Sequence, residues 1–525
     1  MIKFGENVRS IGDNAFYNCP LSGDLVIPDS VTSIGSYAFY INPYLYPRLK
    51  TQGTLTLGRN LRSIGESAFC ESRYTGSLTI PDSVVEIGER AFYKCENLNG
   101  TLTLGKSLRT IGKEAFYWSA FTGDLTIPEG VTEIADGAFS SLYQYRDGMF
   151  NGTLTLPSTL RTIGANAFSF GDFSGELLIP DGVTSIGEDA FVDCDGFVGT
   201  LSLPDSVKTV GEGAFYGCKG FTSLKLSAGL TKIEMRSFAH MCGLQTEVVI
   251  PEGVTAIEGY AFVKCGSLKK LVLPDSLDTL GINAFSNCEA LETIKMPSAM
   301  TEIRSGVFSR AAITEIAVPS GLTEIPDYLF SGCKNLKTVT MPNSVAKVGI
   351  MAFQKCDALA DVYFQGTKAQ WDTVSISDYA DLSTNQSGNL PLTDQATIHF
   401  LDMPPVVTTT ATTPVTTGST TTTASSVVTT ASATGSQTTS SVQTSTTVTG
   451  TVVVPEVLYG DVNLDGTISL SDAVLLNKRA ADMVTFSEQV SANADCNTDG
   501  EVNGADAIVL LQFLVNIIQE LPYTV

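Results

Sequence analysis

The chain has 525 residues, 43% of them hydrophobic, which is enough for several domains with sizeable cores. Its formal net charge is -23, and its 32 basic residues are scattered among 55 acidic ones, which argues against the clustered cations that nucleic acid backbones require. No apolar run approaches the roughly 20 residues of a membrane helix, and the opening MIKFGENVRS lacks the apolar stretch of a secretory leader.

From the start of the chain a single unit recurs, seen as SIGDNAFYNC, SIGESAFC and EIGERAFYKC. Its landmark is a phenylalanine, at Phe16, Phe39, Phe69, Phe92, Phe116, Phe139, Phe168, Phe191, Phe215, Phe238, Phe262, Phe285, Phe308, Phe330 and Phe353. Successive landmarks lie 22–24 residues apart, with one gap of 30 and one of 29. The fuller unit reads L-x-I/L-P-x-S/G-V-x-x-I-G-x-x-A-F-x-x-C. The alternating LTIP segment predicts a short, half-buried strand. The proline ends it, the following Asp-Ser or Glu-Gly supplies a turn, the glycine permits a tight bend, and Ala-Phe fills the interior opposite the strand. One unit cannot bury its own apolar face, so the units must stack on a shared core.

This pattern resembles the BspA-like subfamily of leucine-rich repeats over about residues 1–360. The resemblance implies a β-rich leucine-rich-repeat solenoid of about 15 coils of ~23 residues. Residues 361–403, with DVYFQGTKAQWDTVSI and ATIHF, break the period yet stay apolar, as a C-terminal cap would. FGENVRSIG from Phe4 aligns with LGRNLRSIG from Leu57, so the chain begins inside a repeat. The expectation is a truncated N-terminus, which leaves the missing leader without weight.

Several repeat residues invite a chemical reading. Eight cysteines (Cys19, Cys95, Cys194, Cys218, Cys265, Cys288, Cys333 and Cys356) stand three residues after the landmark. They could form a metal ladder or a disulfide series; the plainer reading is a small, apolar side chain repeated by stacking. Seven acidic residues follow the strand, at Asp29, Asp82, Glu129, Asp181, Asp205, Glu252 and Asp275. Glycoside hydrolysis uses carboxylate pairs, but a catalytic pair needs unlike environments, and these seven share one turn position. Only His240 and His399 are available for histidine-based catalysis. The two long gaps, YINPYLYPRLKTQG and SSLYQYRDGMFNG, insert tyrosine-rich segments carrying an arginine. Insertions in solenoids become surface loops, so Tyr44, Tyr46, Arg48, Tyr143, Tyr145 and Arg146 are candidate ligand contacts. Length drift, with the rings tucked against the solenoid, is the alternative.

Residues 404–455 carry no charge and include 21 threonines, so they cannot bury enough surface to fold. Such Thr/Ser/Pro-rich segments resemble O-glycosylated extracellular stalks. As a flexible coil this one would span roughly 40 Å. It reads as a tether.

Beyond it, DVNLDGTISLSD and DCNTDGEVNGAD place oxygen ligands at positions 1, 3, 5 and 12 of two loops. These are Asp461, Asn463, Asp465 and Asp472, then Asp495, Asn497, Asp499 and Asp506. Glycine stands at position 6 of both. Thr467 and Glu501 can offer backbone carbonyls from position 7, and Ser469 and Asn503 can act through water from position 9. That spacing is how an EF-hand-type loop wraps calcium, here two ions. Position 12 is Asp where EF-hands usually have Glu, and Pro455 and Gly460 occupy the place of an entering helix. Each loop leads into an apolar helix, AVLLNKRA or AIVLLQFLVNII.

Two such loop-helix units over residues 456–525 resemble the type I dockerin, a small all-α calcium-binding module. The resemblance implies docking onto a cohesin domain of a scaffoldin. It carries recognition positions over to Leu470, Ser471, Asn477 and Lys478, and to Gly504, Ala505, Leu511 and Gln512. Leu-Ser opposite Gly-Ala departs from the repeated pair that permits two docking orientations. The whole sequence thus reads as a secreted, non-catalytic cellulosome component whose solenoid binds a protein or a glycan. A surface adhesin and a divergent carbohydrate-active enzyme are the alternatives.

Overall fold

The computed structural model describes residues 3–45, 52–141, 150–377, 380–381 and 386–400, and beyond them residues 494, 496, 502 and 510. The described residues up to 400 wind into a parallel β-solenoid with very little helix, in which each repeat unit forms one coil. Among the described residues, no helix is long and apolar enough to cross a membrane.

Each coil contributes to three hydrogen-bonded ladders. The first is the expected LTI strand, from Leu25–Val26 through Leu125–Thr126 to Asp361–Gln365 and Thr397–Phe400. Its strands pair in parallel with equivalent residues opposite one another, as Leu25 opposite Leu55. The leucine is buried and its neighbour exposed, as the alternation requires. The proline that follows offers its carbonyl to the turn: Pro28 accepts from Val31 N at 3.0 Å, and Pro81 from Val84 N at 3.0 Å.

The second ladder is one the sequence pattern does not predict. The two residues before the glycine form a strand of their own, Ser10–Ile11, Ser33–Ile34, Ser63–Ile64 and so on to Ser375–Ile376. Here the glycine serves close approach between coils. A Cβ on Gly88 would lie 2.7 Å from both the Gly65 carbonyl carbon and Glu66 N. The ladder is interrupted between Ile111 and Ile134, between Val210 and Ile233, and between Ile303 and Ile325. Ala135, Glu234 and Pro326 replace that glycine at the three interruptions, whereas the ladder continues through Glu258 and Arg304, which replace it too.

The third ladder is built from turns around the landmark phenylalanine. Asn14, Phe16 and Asn18 donate backbone N–H groups to Ser36, Ala38 and Tyr40 of the next coil at 2.8–2.9 Å. The residues two before and two after the landmark adopt left-handed φ, near 55° at Asn14 and Asn18. That conformation costs about 1–2 kcal/mol for an ordinary residue, which the intercoil bonds offset.

Inside, all fifteen landmark rings form one continuous row, stacked except for the last pair, Phe330 and Phe353, whose planes are tilted by 36°. Neighbouring centroids are 5.1 Å apart at Phe16–Phe39 and 6.3 Å at Phe308–Phe330, with planes 7° and 10° apart. A shorter second row runs through Phe121, Phe150, Phe173, Phe197 and Phe221. The rings and the inward aliphatic residues form one hydrophobic core.

The sequence period breaks after residue 360, but both strand ladders continue past it. Asp361–Gln365 pairs with Thr338–Pro342 and then with Thr397–Phe400. Ser375–Ile376 extends the second ladder. Asn389, fully buried, accepts the N–H of Phe353 at 3.1 Å in the place of a following coil. Its amide nitrogen donates to the Gly349 and Ser377 carbonyls. Trp371 packs edge-on against Phe364, 5.3 Å between centroids.

Candidate functional site

The regular polar residues of the solenoid are occupied by coil-to-coil bonding. Cys95, Cys194, Cys218, Cys265, Cys288, Cys333 and Cys356 are buried, and each thiol donates to the carbonyl of the landmark phenylalanine one coil back, at 3.1–3.3 Å. In the coil where serine replaces cysteine, Ser119 Oγ makes the same bond to Phe92 at 2.9 Å. Burial pushes the Cys95 thiol up to about 12, so it is a poor nucleophile and a poor metal ligand.

Four of the seven turn carboxylates, Asp29, Asp82, Glu129 and Asp205, are likewise engaged. Asp29 accepts the N–H of Arg59 at 2.8 Å, Asp82 that of Lys106 at 3.0 Å, and Glu129 that of Ser158 at 3.0 Å. Each receives the equivalent residue of the next coil. Asp24 and Asp124 do the same for Thr54 and Thr153. These backbone hydrogen bonds hold Asp24, Asp29, Asp124 and Glu129 below the usual carboxylate range. They bridge coils.

The third ladder offers a different surface. Both insertions follow directly in sequence after the turns of Phe39 and Phe139. The residue following the landmark is tyrosine in several of these coils, and the rings pile up. Tyr17 stacks on Tyr40 at 5.1 Å between centroids, and Tyr93 on Tyr117 at 5.2 Å. Lys94 Nζ lies 5.3 Å from the Tyr93 ring centre and 4.7 Å from that of Trp118. Arg90 Nε bonds Glu114 at 2.7 Å, which raises the arginine's pKa. Burial is the main cause raising Tyr93 and Tyr117 above the usual phenol value.

Past Tyr117 the tyrosine row gives way to Ser140 and Ser169, whose hydroxyls meet at 2.6 Å. The change from ring to hydroxymethyl opens a groove of about 430 Å³, with Tyr117 and Phe170 among its walls and Lys113, Asp136 and Asn166 along its flank. Such a surface can stack on flat apolar faces and hydrogen-bond at their edges. Tyr93, Tyr117, Trp118 and Lys94 were missed as candidates, although the recurring AFY of AFYNC, AFYKC and AFYWS was a visible signal.

Of the candidate loop contacts, Tyr44 is described and is 90% exposed. Tyr46, Arg48, Tyr143, Tyr145 and Arg146 lie outside the described residues, as do all twelve candidate calcium ligands and all eight candidate cohesin contacts. Within the second acidic loop Cys496 is buried and Val502 half-buried; neither belongs to the candidate ligand set. Among the described residues no group of His, Cys, Asp or Glu is arranged to hold a metal.

The family model of the BspA type leucine-rich repeat region matches residues 1–47, 40–147, 145–269 and 255–380. That of the dockerin type I domain matches residues 459–515, which span both acidic loops. No curated protein matches the chain. Among solved structures, a leucine-rich repeat protein from Bacteroides ovatus is 21% identical over 65% of this chain and 88% of its own, with a TM-score of 0.38. A leucine-rich cell surface protein from Faecalibacterium prausnitzii is 29% identical over 71% and 88%, with a TM-score of 0.34. The pneumococcal vaccine antigen PcpA is 19% identical over 71% and 86%, with a TM-score of 0.40. With its repeats matched over most of its length, the chain belongs to the BspA-type leucine-rich repeat family and carries a C-terminal type I dockerin domain.

Proposed function

We propose that this protein is an extracellular, non-catalytic adaptor, in which the solenoid holds a protein or glycan and the dockerin fixes it to a scaffoldin. The observation that carries the reading is the pairing, in one chain, of a repeat solenoid with a dockerin whose eight loop-ligand positions all bear oxygen. Type I dockerins bind calcium and dock onto cohesins. The finer assignment is two ions. Asp461, Asn463, Asp465, Thr467, Ser469 and Asp472 hold one, and Asp495, Asn497, Asp499, Glu501, Asn503 and Asp506 the other. Leu470, Ser471, Asn477 and Lys478, or Gly504, Ala505, Leu511 and Gln512, then face the cohesin. The domain limits in this reading are 1–360 for the repeats, 361–403 for the cap, 404–455 for the linker and 456–525 for the dockerin.

The non-catalytic part of the reading is supported by how the repeat residues are used. Four of the seven turn carboxylates accept backbone N–H groups of the next coil, and the buried thiols donate to carbonyls. The tyrosine-bearing turn ladder, which both insertions follow in sequence, is one surface assigned to ligand. The test is capture by an immobilised type I cohesin panel in calcium and in EDTA. Calcium-dependent capture, lost in the double variant Asp461→Ala, Asp495→Ala, is the expected result. Capture that survives both chelation and the double variant would defeat the reading.

A further inference from the structure

Winding brings together cations that the sequence disperses. Arg9, Arg62, Arg109, Arg161 and Lys208 occupy one position, just before the second-ladder strand, in alternate coils. The coils between place Thr32, Val85, Thr132 and Thr184 there. Backbone bonds thread the row: Thr32 N to Arg9 O, Arg62 N to Thr32 O, Val85 N to Arg62 O and Arg109 N to Val85 O, at 2.8–2.9 Å. Beyond the interruption at Ala135, Arg161 N bonds Thr132 O and Lys208 N bonds Thr184 O.

All five cations are exposed, and among the described residues none forms a salt bridge. Some other surface cations are paired, such as Arg59 with Asp29, Lys232 with Glu258 and Lys347 with Glu324, while Lys225, Lys295 and Lys337 are exposed and, among the described residues, likewise without a salt bridge. Arg109 and Arg161 each donate one guanidinium nitrogen to nearby carbonyls, at 2.9 Å to Leu108 and Leu160, which fixes their place over the turn. Between Arg9 and Arg62, above Thr32, lies a depression of about 500 Å³, which Asp29, paired with Arg59, also lines. Glu86 and Glu133 stand one residue further along, in coils that lack a cation.

Neighbouring strands lie about 4.8 Å apart, so alternate coils space these charges by about 9.5 Å. An extended peptide repeats its same-side groups every ~6.6 Å and falls out of step with the row. An extended polysaccharide with a carboxylate on alternate sugars, or with alternate carboxylates turned to one side, spans a comparable length per disaccharide. Arginine pairs with carboxylates bidentately. The net charge of -23 does not prevent this, since screening limits each charge to about 8 Å at physiological salt.

We infer that this row binds an acidic polysaccharide along the solenoid axis, one carboxylate to every second coil. The inference rests on the reading of the solenoid as a ligand-binding module. It is tested with the full-length protein in calcium by affinity electrophoresis and calorimetry. The probes are polygalacturonate, hyaluronan and neutral dextran. Binding to one or both acidic polymers but not to dextran, weakening steeply between 50 and 300 mM salt (roughly, from screening), is expected. Which acidic polymer binds distinguishes carboxylates on every sugar from carboxylates on alternate sugars.

The triple variant Arg9→Gln, Arg62→Gln, Lys208→Gln should bind at least about tenfold more weakly. It spares Arg109 and Arg161, whose carbonyl bonds help the fold. Lys225→Gln, Lys295→Gln, Lys337→Gln removes equal charge elsewhere and should bind like the parent. Equal loss in both triple variants would mean that only net charge matters, and would overturn the inference. So would failure of both acidic polymers to bind. If dextran or a protein from a panel of extracellular proteins binds instead, the ligand-binding reading stands while the row does not.

Discussion

A buried thiol and a buried hydroxyl perform the same task in successive coils, and that equivalence can be tested at a single position. Cys218 donates to Phe191 O at 3.1 Å. Cys218→Ala leaves that carbonyl without its donor and should cost about 1–3 kcal/mol in urea unfolding. Cys218→Ser, with Ser119 as precedent, should be the more stable of the two. An alanine variant as stable as the parent would reduce the cysteine to packing alone. The carboxylates act in the opposite sense to the thiols. Asp24, Asp29, Asp124 and Glu129 have folded pKa values below their unfolded ones. Their contribution is therefore complete above the unfolded value, about 4, and is lost as pH falls through the folded value. The melting temperature should hold nearly level from about pH 7 to 5 and fall below about pH 4. Replacing all four by Asn or Gln should make that fall shallower; an unchanged slope would assign acid sensitivity to other groups.

Elements differ in how clearly the sequence announces them. The LTIP strand was legible because four alternating residues suffice to fix a face. The two-residue strand before the glycine was not, because a pair carries no period. Its glycine was read as a bend, whereas the structure requires it for the absence of a Cβ. Gly88→Ala should push the coils apart locally, costing about 1–3 kcal/mol. Amide exchange should then accelerate at position 88 itself, whose N–H donates to Ile64 O of the preceding coil at 2.8 Å. Unaltered exchange there would show that the coils accommodate a methyl freely, as they do in some fashion at Ala135. The turn ladder escaped notice for another reason: its left-handed positions hold Asn14, Tyr37, Arg90 and Tyr328 as readily as glycine, so residue type gives no signal. The insertions were legible as surplus length in an otherwise constant period. Removing residues 43–50 and 142–149 should leave the melting temperature nearly unchanged while weakening ligand capture. Undiminished capture would move recognition off the turn ladder.

At the scale of the whole molecule the expected division is between a solenoid that folds without metal and a dockerin that cannot. Six carboxylates among eight loop ligands repel one another until calcium arrives, so binding energy becomes folding energy. EDTA should abolish the helical circular dichroism contributed by residues 456–525, and calcium should restore it, while the solenoid's own melt stays fixed. A solenoid melt that shifts with calcium would indicate a further metal site within it. The dockerin was legible as a spacing of oxygen ligands; the cation row was not, since its members are separated by tens of residues and align only after winding. The matched register of the ladders carries a consequence for how such a chain changes over generations. Each coil bonds its neighbours through the same positions, as Ser10 to Ser33 and Ser33 to Ser63, so unequal recombination between repeat units inserts or deletes a whole coil without leaving a mismatched seam. The C-terminal end does not share that freedom, because Asn389 and Trp371 close a particular final coil. Lineages of this protein should therefore vary in coil number through the middle and keep their C-terminal closure unchanged.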